Sequence, residues 1–114
     1  MFGGLGVYNM YGYSTQLIEW YTVYNTQISG SRIIGKTKYI FQKERPSFFY
    51  GITTAVSNQI TYKVMSRERA FIQMLREGKT FRTLPQGIER NTLKEMAERY
   101  ATKSITETIR NLCS

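Results

Sequence analysis

Two groups of residues have the types and spacing to bind a charged partner. The first is a basic segment, Arg32, Lys36, Lys38, Lys43 and Arg45, interleaved with Tyr39, Phe41, Phe48, Phe49 and Tyr50. Cations among rings can hold phosphates while bases stack, the mode by which single-stranded nucleic acid is gripped without sequence preference. The same alternation describes a half-buried strand, with lysines outward and rings inward. No RRM, KH or zinc-finger signature accompanies it. The second group is Ser66-Arg67-Glu68-Arg69, which reads either as an anion site or as the solvated first turn of a helix.

Catalytic chemistry is less well supplied. The 114 residues include no His, and all eight acidic residues are Glu. A Ser-His-Asp triad, a Cys-His dyad, a histidine metal site and a His general base therefore cannot be assembled from this chain. An enzyme would have to rest on Glu, Lys, Tyr, Ser or the lone thiol. That thiol, Cys113, forms no intrachain disulfide and no structural zinc site, although Arg110 one turn back would favour its thiolate. Gly3-Gly4-Leu5-Gly6 lacks the preceding strand and the following lysine that phosphate loops require, and reads as a chain start or a tight packing site. Glu95 and Glu98 share a helical pattern with Lys94 and Arg99, the mark of a solvated face rather than an acid–base pair. Ser14, Thr15 and Gln16 read as a turn. We expect no catalytic residue, no metal and no cofactor.

The elements that would position these groups follow from length, charge and periodicity. A chain of 114 residues supports one core, so a single domain over 1–114 is expected. The net charge is +8, unevenly spread: residues 1–31 carry only Glu19, and residues 32–63 carry six cations against Glu44. No apolar run approaches the ~20 residues of a membrane span, and no signal peptide is evident. A free thiol suits a reducing compartment, so the expected location is cytoplasmic.

Strands are expected mainly within 16–65. Ile18–Tyr24 is rich in β-branched and aromatic residues, and Gln59–Met65 alternates with Ile60, Tyr62 and Val64 on one face. Between them, 32–43 reads either as two short strands around Gly35 or as one strand bulged there. Pro46 and Ser47 end that pattern. Residues 1–13 stay open, since three glycines oppose a helix while Leu5, Tyr8 and Asn9 suit one short turn. Helices are expected at about 66–78, 91–102 and 104–113. Ser66 is the expected N-cap of the first and Gly78 its stop. Asn91 is the expected cap of the second, with Leu93, Met96, Ala97 and Tyr100 on one face. Ser104-Ile105-Thr106-Glu107 reads as a capping box opening the third. Strands followed by helices predict an α+β fold, a mainly antiparallel sheet from the first half packed against the C-terminal helices.

The order of segments resembles the AbiEi-like type IV antitoxin superfamily, known from abortive-infection toxin–antitoxin systems. Tyr11-Gly12-Tyr13-Ser14-Thr15-Gln16 is similar to that family's Tyr-Gly-Leu-Ser/Thr-x-Gln segment. Ser29–Arg32 through Gly35-Lys36 resembles its basic turn, and Phe48-Phe49-Tyr50-Gly51 its aromatic-aromatic-x-Gly step. Val64–Ile72 looks like its helix start, with Glu68 and Ala70 at matching positions and Gln73 where an acid is common. The resemblance covers nearly the whole chain. It implies the C-terminal antitoxin domain without the N-terminal winged helix, so that Met1 marks a truncated gene, a late start or an isolated domain. It also implies a nucleotidyltransferase-like toxin as partner, neutralised by direct binding, by protection of the toxin's target or by alteration of the toxin. Autoregulation through operator binding is expected to be weak or absent.

We therefore expect Arg32, Lys36, Lys38, Lys43, Arg67 and Arg69 to be exposed cations that contact an acidic toxin surface or its nucleic-acid substrate. Gly12, Gln16, Gly51, Glu68 and Ala70 are expected to hold the fold. The alternative expectation is a basic accessory or regulator-derived domain that binds DNA or RNA without a toxin, with steeply salt-dependent affinity.

Overall fold

The computed structural model describes residues 1–114. The chain runs β1 (Phe2–Gly3), α1 (Gly4–Met10), β2 (Tyr21–Asn25), β3 (Gly30–Ile34), β4 (Thr37–Lys43), a 3-10 turn at Pro46–Phe48, β5 (Ile52–Ser57) and β6 (Ile60–Met65). Three helices follow: α2 (Arg67–Arg76), α3 (Arg90–Tyr100) and α4 (Lys103–Cys113). The fold class is α+β, as the strand-then-helix order predicts. The chain divides into two compact units, Met1–Met65 and Ser66–Ser114.

The first unit is a six-stranded sheet in the order β3-β4-β2-β1-β6-β5. Pairings β1–β2, β3–β4 and β5–β6 are antiparallel, while β1–β6 and β2–β4 are parallel, so the sheet is mixed and mostly antiparallel. Gly35 makes two strands of the basic segment rather than one bulged strand. It sits at φ 64° between the paired residues Ile34 and Thr37, with Lys36 as the second loop residue. Glycine in the first central position of a two-residue loop is the II′ arrangement, whose twist matches the flanking strands.

Three parts of this unit go beyond the expectation: a shifted strand, a start that the sequence leaves open, and an unexpected strand. The strand expected at Ile18–Tyr24 begins only at Tyr21 and runs to Asn25. The glycine-rich start forms strand β1 and helix α1, with Val7 and Tyr8 buried. Its glycines are close-packing positions: a Cβ on Gly6 would lie 2.7 Å from the Tyr21 ring, so α1 approaches β2 because Gly6 has no side chain. Third, β5 has no counterpart among the expected strands. It turns into β6 through Asn58 and Gln59, both at positive φ, a type I′ loop lacking the usual Asn-Gly signal.

The second unit is helical, with α3 packed on both α2 and α4. Ser66 caps α2 as expected, its Oγ accepting from the Arg69 N–H at 3.1 Å. Past the end of α2, Gly78 takes φ 90°, and the Lys79 N–H donates to the Met74 carbonyl. The other two caps are displaced. Glu89, not Asn91, caps α3, accepting from the Asn91 and Thr92 amides and from the Thr92 hydroxyl. Thr102, not Ser104, caps α4, accepting from the Ile105 N–H. In α4 the cap therefore lies two residues before the Ser-x-x-Glu pattern. Leu93 and Ala97 are buried as the periodicity predicts, whereas Tyr100 is exposed.

Candidate functional site

Register assigns each strand residue to a face, because paired residues across a ladder share one and successive residues alternate. One face carries Gly3, Thr22, Tyr24, Lys38 and Met65. Tyr24, buried there, meets Phe48 in a tilted contact with 4.7 Å between ring centroids. A Cβ on Gly3 would lie 2.5 Å from the Tyr24 ring, so this face is built tight around a bare backbone.

The opposite face carries Phe2, Tyr21, Tyr39, Phe41, Tyr62 and Val64, contributed by β1, β2, β4 and β6. Tyr21 and Tyr39 are cross-strand neighbours with centroids 6.1 Å apart, and Phe2 meets Tyr62 edge-on at 5.4 Å. Helix α1 lies over part of this face and leaves a cleft of about 450 Å³ beneath it. Gly6, Val7 and Met10 form its helical wall, the rings of Phe2, Tyr21, Tyr39 and Tyr62 its sheet wall, and Thr37 and Ser57 add hydroxyls.

The expected cations fall into two sets. Arg32, Lys36, Lys38 and Lys43 all belong to the β3–β4 hairpin, all are exposed, and none is ion-paired. They surround the hairpin rather than forming one cluster. Arg32 and Lys43 share the aromatic face, Lys36 tops the loop, and Lys38 faces the other way. Two are held by rings: the Arg32 guanidinium lies 5.7 Å from the Phe41 centroid, and Lys38 Nζ lies 5.7 Å from that of Trp20. Such contacts orient a cation while leaving its charge available. The nearby Glu44 carboxylate accepts instead from the Gln42 side chain at 2.9 Å.

Arg67 and Arg69 lie apart from these, on α2 of the second unit. Arg67 is half-buried, its guanidinium against Gly87. Arg69 corrects the expectation outright: it is 0 % exposed, and its Nη1 donates to Gln73 Oε1 at 3.0 Å. Residues 69–74 of α2 are all buried, so an arginine there cannot reach a surface partner. Arg69 is a packing residue of the helical unit.

The motif residues occupy structural positions. Gly12 takes φ 78° just past α1, and its N–H donates to the Asn9 carbonyl at 3.0 Å. Gln16 acts through its main chain, its carbonyl accepting from Asn9 Nδ2 at 2.7 Å. Gly51 turns the chain into β5 at φ 61°. Glu68 accepts from the Glu89 N–H at 3.3 Å, joining the starts of α2 and α3, and Ala70 is fully buried. The Arg110 guanidinium, one turn before Cys113, pairs with Glu98 at 3.3 Å.

The cleft is the feature that sequence reasoning missed. Its rings sit at ordinary alternating strand positions, and only the β4-β2-β1-β6 order, which departs from chain order, brings them side by side. No group of His, Cys, Asp or Glu is placed to hold a metal ion, and no helix is long and apolar enough to cross a membrane. Comparison with protein-family models, curated proteins and solved structures finds no match.

Proposed function

We propose that this chain is a non-enzymatic antitoxin domain that neutralises a nucleotidyltransferase-like toxin by binding it directly through the β3–β4 hairpin. The observation that carries the reading is the hairpin itself: four exposed cations without ion-pair partners on the β3–β4 edge of the six-stranded sheet. Unpaired cations of this kind steer encounter with an acidic surface and select against basic partners. The resemblance of the segment order supplies the identity of the partner. Cytoplasmic action belongs to the same proposal.

The reading is tested by co-purification. The tagged chain should retain the toxin at low salt and release it progressively as ionic strength rises. The combined variant Arg32→Glu, Lys36→Glu and Lys38→Glu should fail to retain it while keeping the wild-type circular dichroism spectrum. Retention by that folded variant would remove the hairpin from the interface.

A further inference from the structure

We propose that the cleft between α1 and the sheet receives a base of a single-stranded polynucleotide, stacked against its tyrosine wall while the hairpin cations hold the adjoining phosphates. The site shares Arg32 and Lys36 of the hairpin with the toxin contact proposed above, but its ring wall, under α1, is a separate surface. Its volume of about 450 Å³ falls in the range of small-ligand sites, roughly 300–1,000 Å³.

Its walls suit a planar ligand with polar edges. Phe2, Tyr21, Tyr39 and Tyr62 offer four rings from four adjacent strands. Tyr21 keeps 38 % of its surface exposed, far more than a tyrosine serving only as core would. Thr37 and Ser57 place hydroxyls on the lining, where a base edge or a sugar can hydrogen-bond. A purely apolar ligand would leave those groups, and the tyrosine hydroxyls, without partners.

Charge selects the class of ligand. The sheet unit contains Arg32, Lys36, Lys38, Lys43, Arg45 and Lys63 against only Glu19 and Glu44. Arg32 projects from the same face as the cleft, directly across from Tyr39 in the β3–β4 ladder, and Lys36 adjoins the cleft residue Thr37. A cationic margin beside a stack of rings is the arrangement that holds single strands, the rings supplying affinity for any base and the cations following the backbone. Duplex is disfavoured, because its bases are already stacked and the cleft is closed on one side by α1.

Fluorescence anisotropy of the full chain with labelled ten-nucleotide strands is the test. The probes are uniform RNA and DNA strands, an abasic strand of equal length and a duplex. Tyr39→Leu removes a ring while keeping an apolar side chain. Ser57→Glu places an anion at the exposed cleft margin without disturbing the core. We expect the intact single strands to bind about tenfold or more tighter than the abasic strand. Both variants should lose that advantage, with Tyr39→Leu leaving abasic binding unchanged. RNA binding better than DNA would assign the hydroxyls to the sugar, and equal binding would assign the affinity to the bases; either supports the site. Equal affinity for intact and abasic strands, preference for duplex, no binding at about 50 mM salt, where phosphate contacts are still strong, or wild-type binding by folded Ser57→Glu would overturn it. Should Tyr39→Leu fail to fold, the Ser57→Glu result decides alone.

Discussion

Glu89 shows how one side chain can carry an element boundary. Its carboxylate accepts from the Thr92 hydroxyl and from the Thr92 and Asn91 amides, and these bonds hold its pKa below the usual glutamate value. A carboxyl depressed in the folded state stabilises the fold above its unfolded pKa, and that contribution disappears as pH falls through the folded value. Acidification through the ordinary glutamate range to the lowered folded value should therefore loosen the start of α3. Hydrogen exchange at the Thr92 amide should accelerate there, and Glu89→Gln should flatten the dependence. Ser66 makes a simpler case. Its Oγ satisfies the Arg69 N–H, so Ser66→Ala should lower stability by about 1 kcal/mol in urea denaturation. Legibility at this scale followed side-chain chemistry. Serine is a preferred cap and was readable at position 66. Glutamate is an uncommon one, so Asn91 drew the assignment two residues too late.

Among the elements, turn chemistry decided what could be read. Gly35 announced the β3–β4 loop, and Ser66 and Gly78 bracketed α2. The β5–β6 loop uses Asn58-Gln59, and β5 itself is exposed along most of its length, so neither a turn signal nor a clean alternation marked it. Helix α1 hid for the opposite reason: its glycines oppose helix formation locally and are tolerated because α1 lies close against Tyr21. Gln59 occupies φ 66°, where a residue with a Cβ is strained. Gln59→Gly should relieve that strain and raise the stability of the sheet unit by about 0.5–1 kcal/mol, net of the added freedom in the unfolded chain. Trp20 lies in the same unit and provides the fluorescence signal for a denaturation curve.

At the scale of the whole molecule, charge and topology combine. A net charge of +8 was evident from composition, but not which cations were available. Folding buries Arg69, sets Arg67 against Gly87 and leaves the hairpin's four cations exposed. Strand order was equally hidden, because two-residue β1 enters the middle of the sheet and joins β2 to β6. That insertion both completes the aromatic face and hangs α1 over it. The hairpin and the cleft therefore adjoin along β4, and a variant on the far side of the cleft should tell their contacts apart. Charge reversal on the hairpin should abolish toxin binding, whereas Ser57→Glu should spare it in the same pull-down. The central claim, neutralisation through the hairpin, is tested most directly by growth rescue. The chain is co-expressed with a nucleotidyltransferase-like toxin, in parallel with the variant Arg32→Glu, Lys36→Glu, Lys38→Glu. Rescue by the wild-type chain and its loss in the folded variant are the predicted result. Absence of rescue by the folded wild-type chain, or undiminished rescue by the variant, would contradict the account.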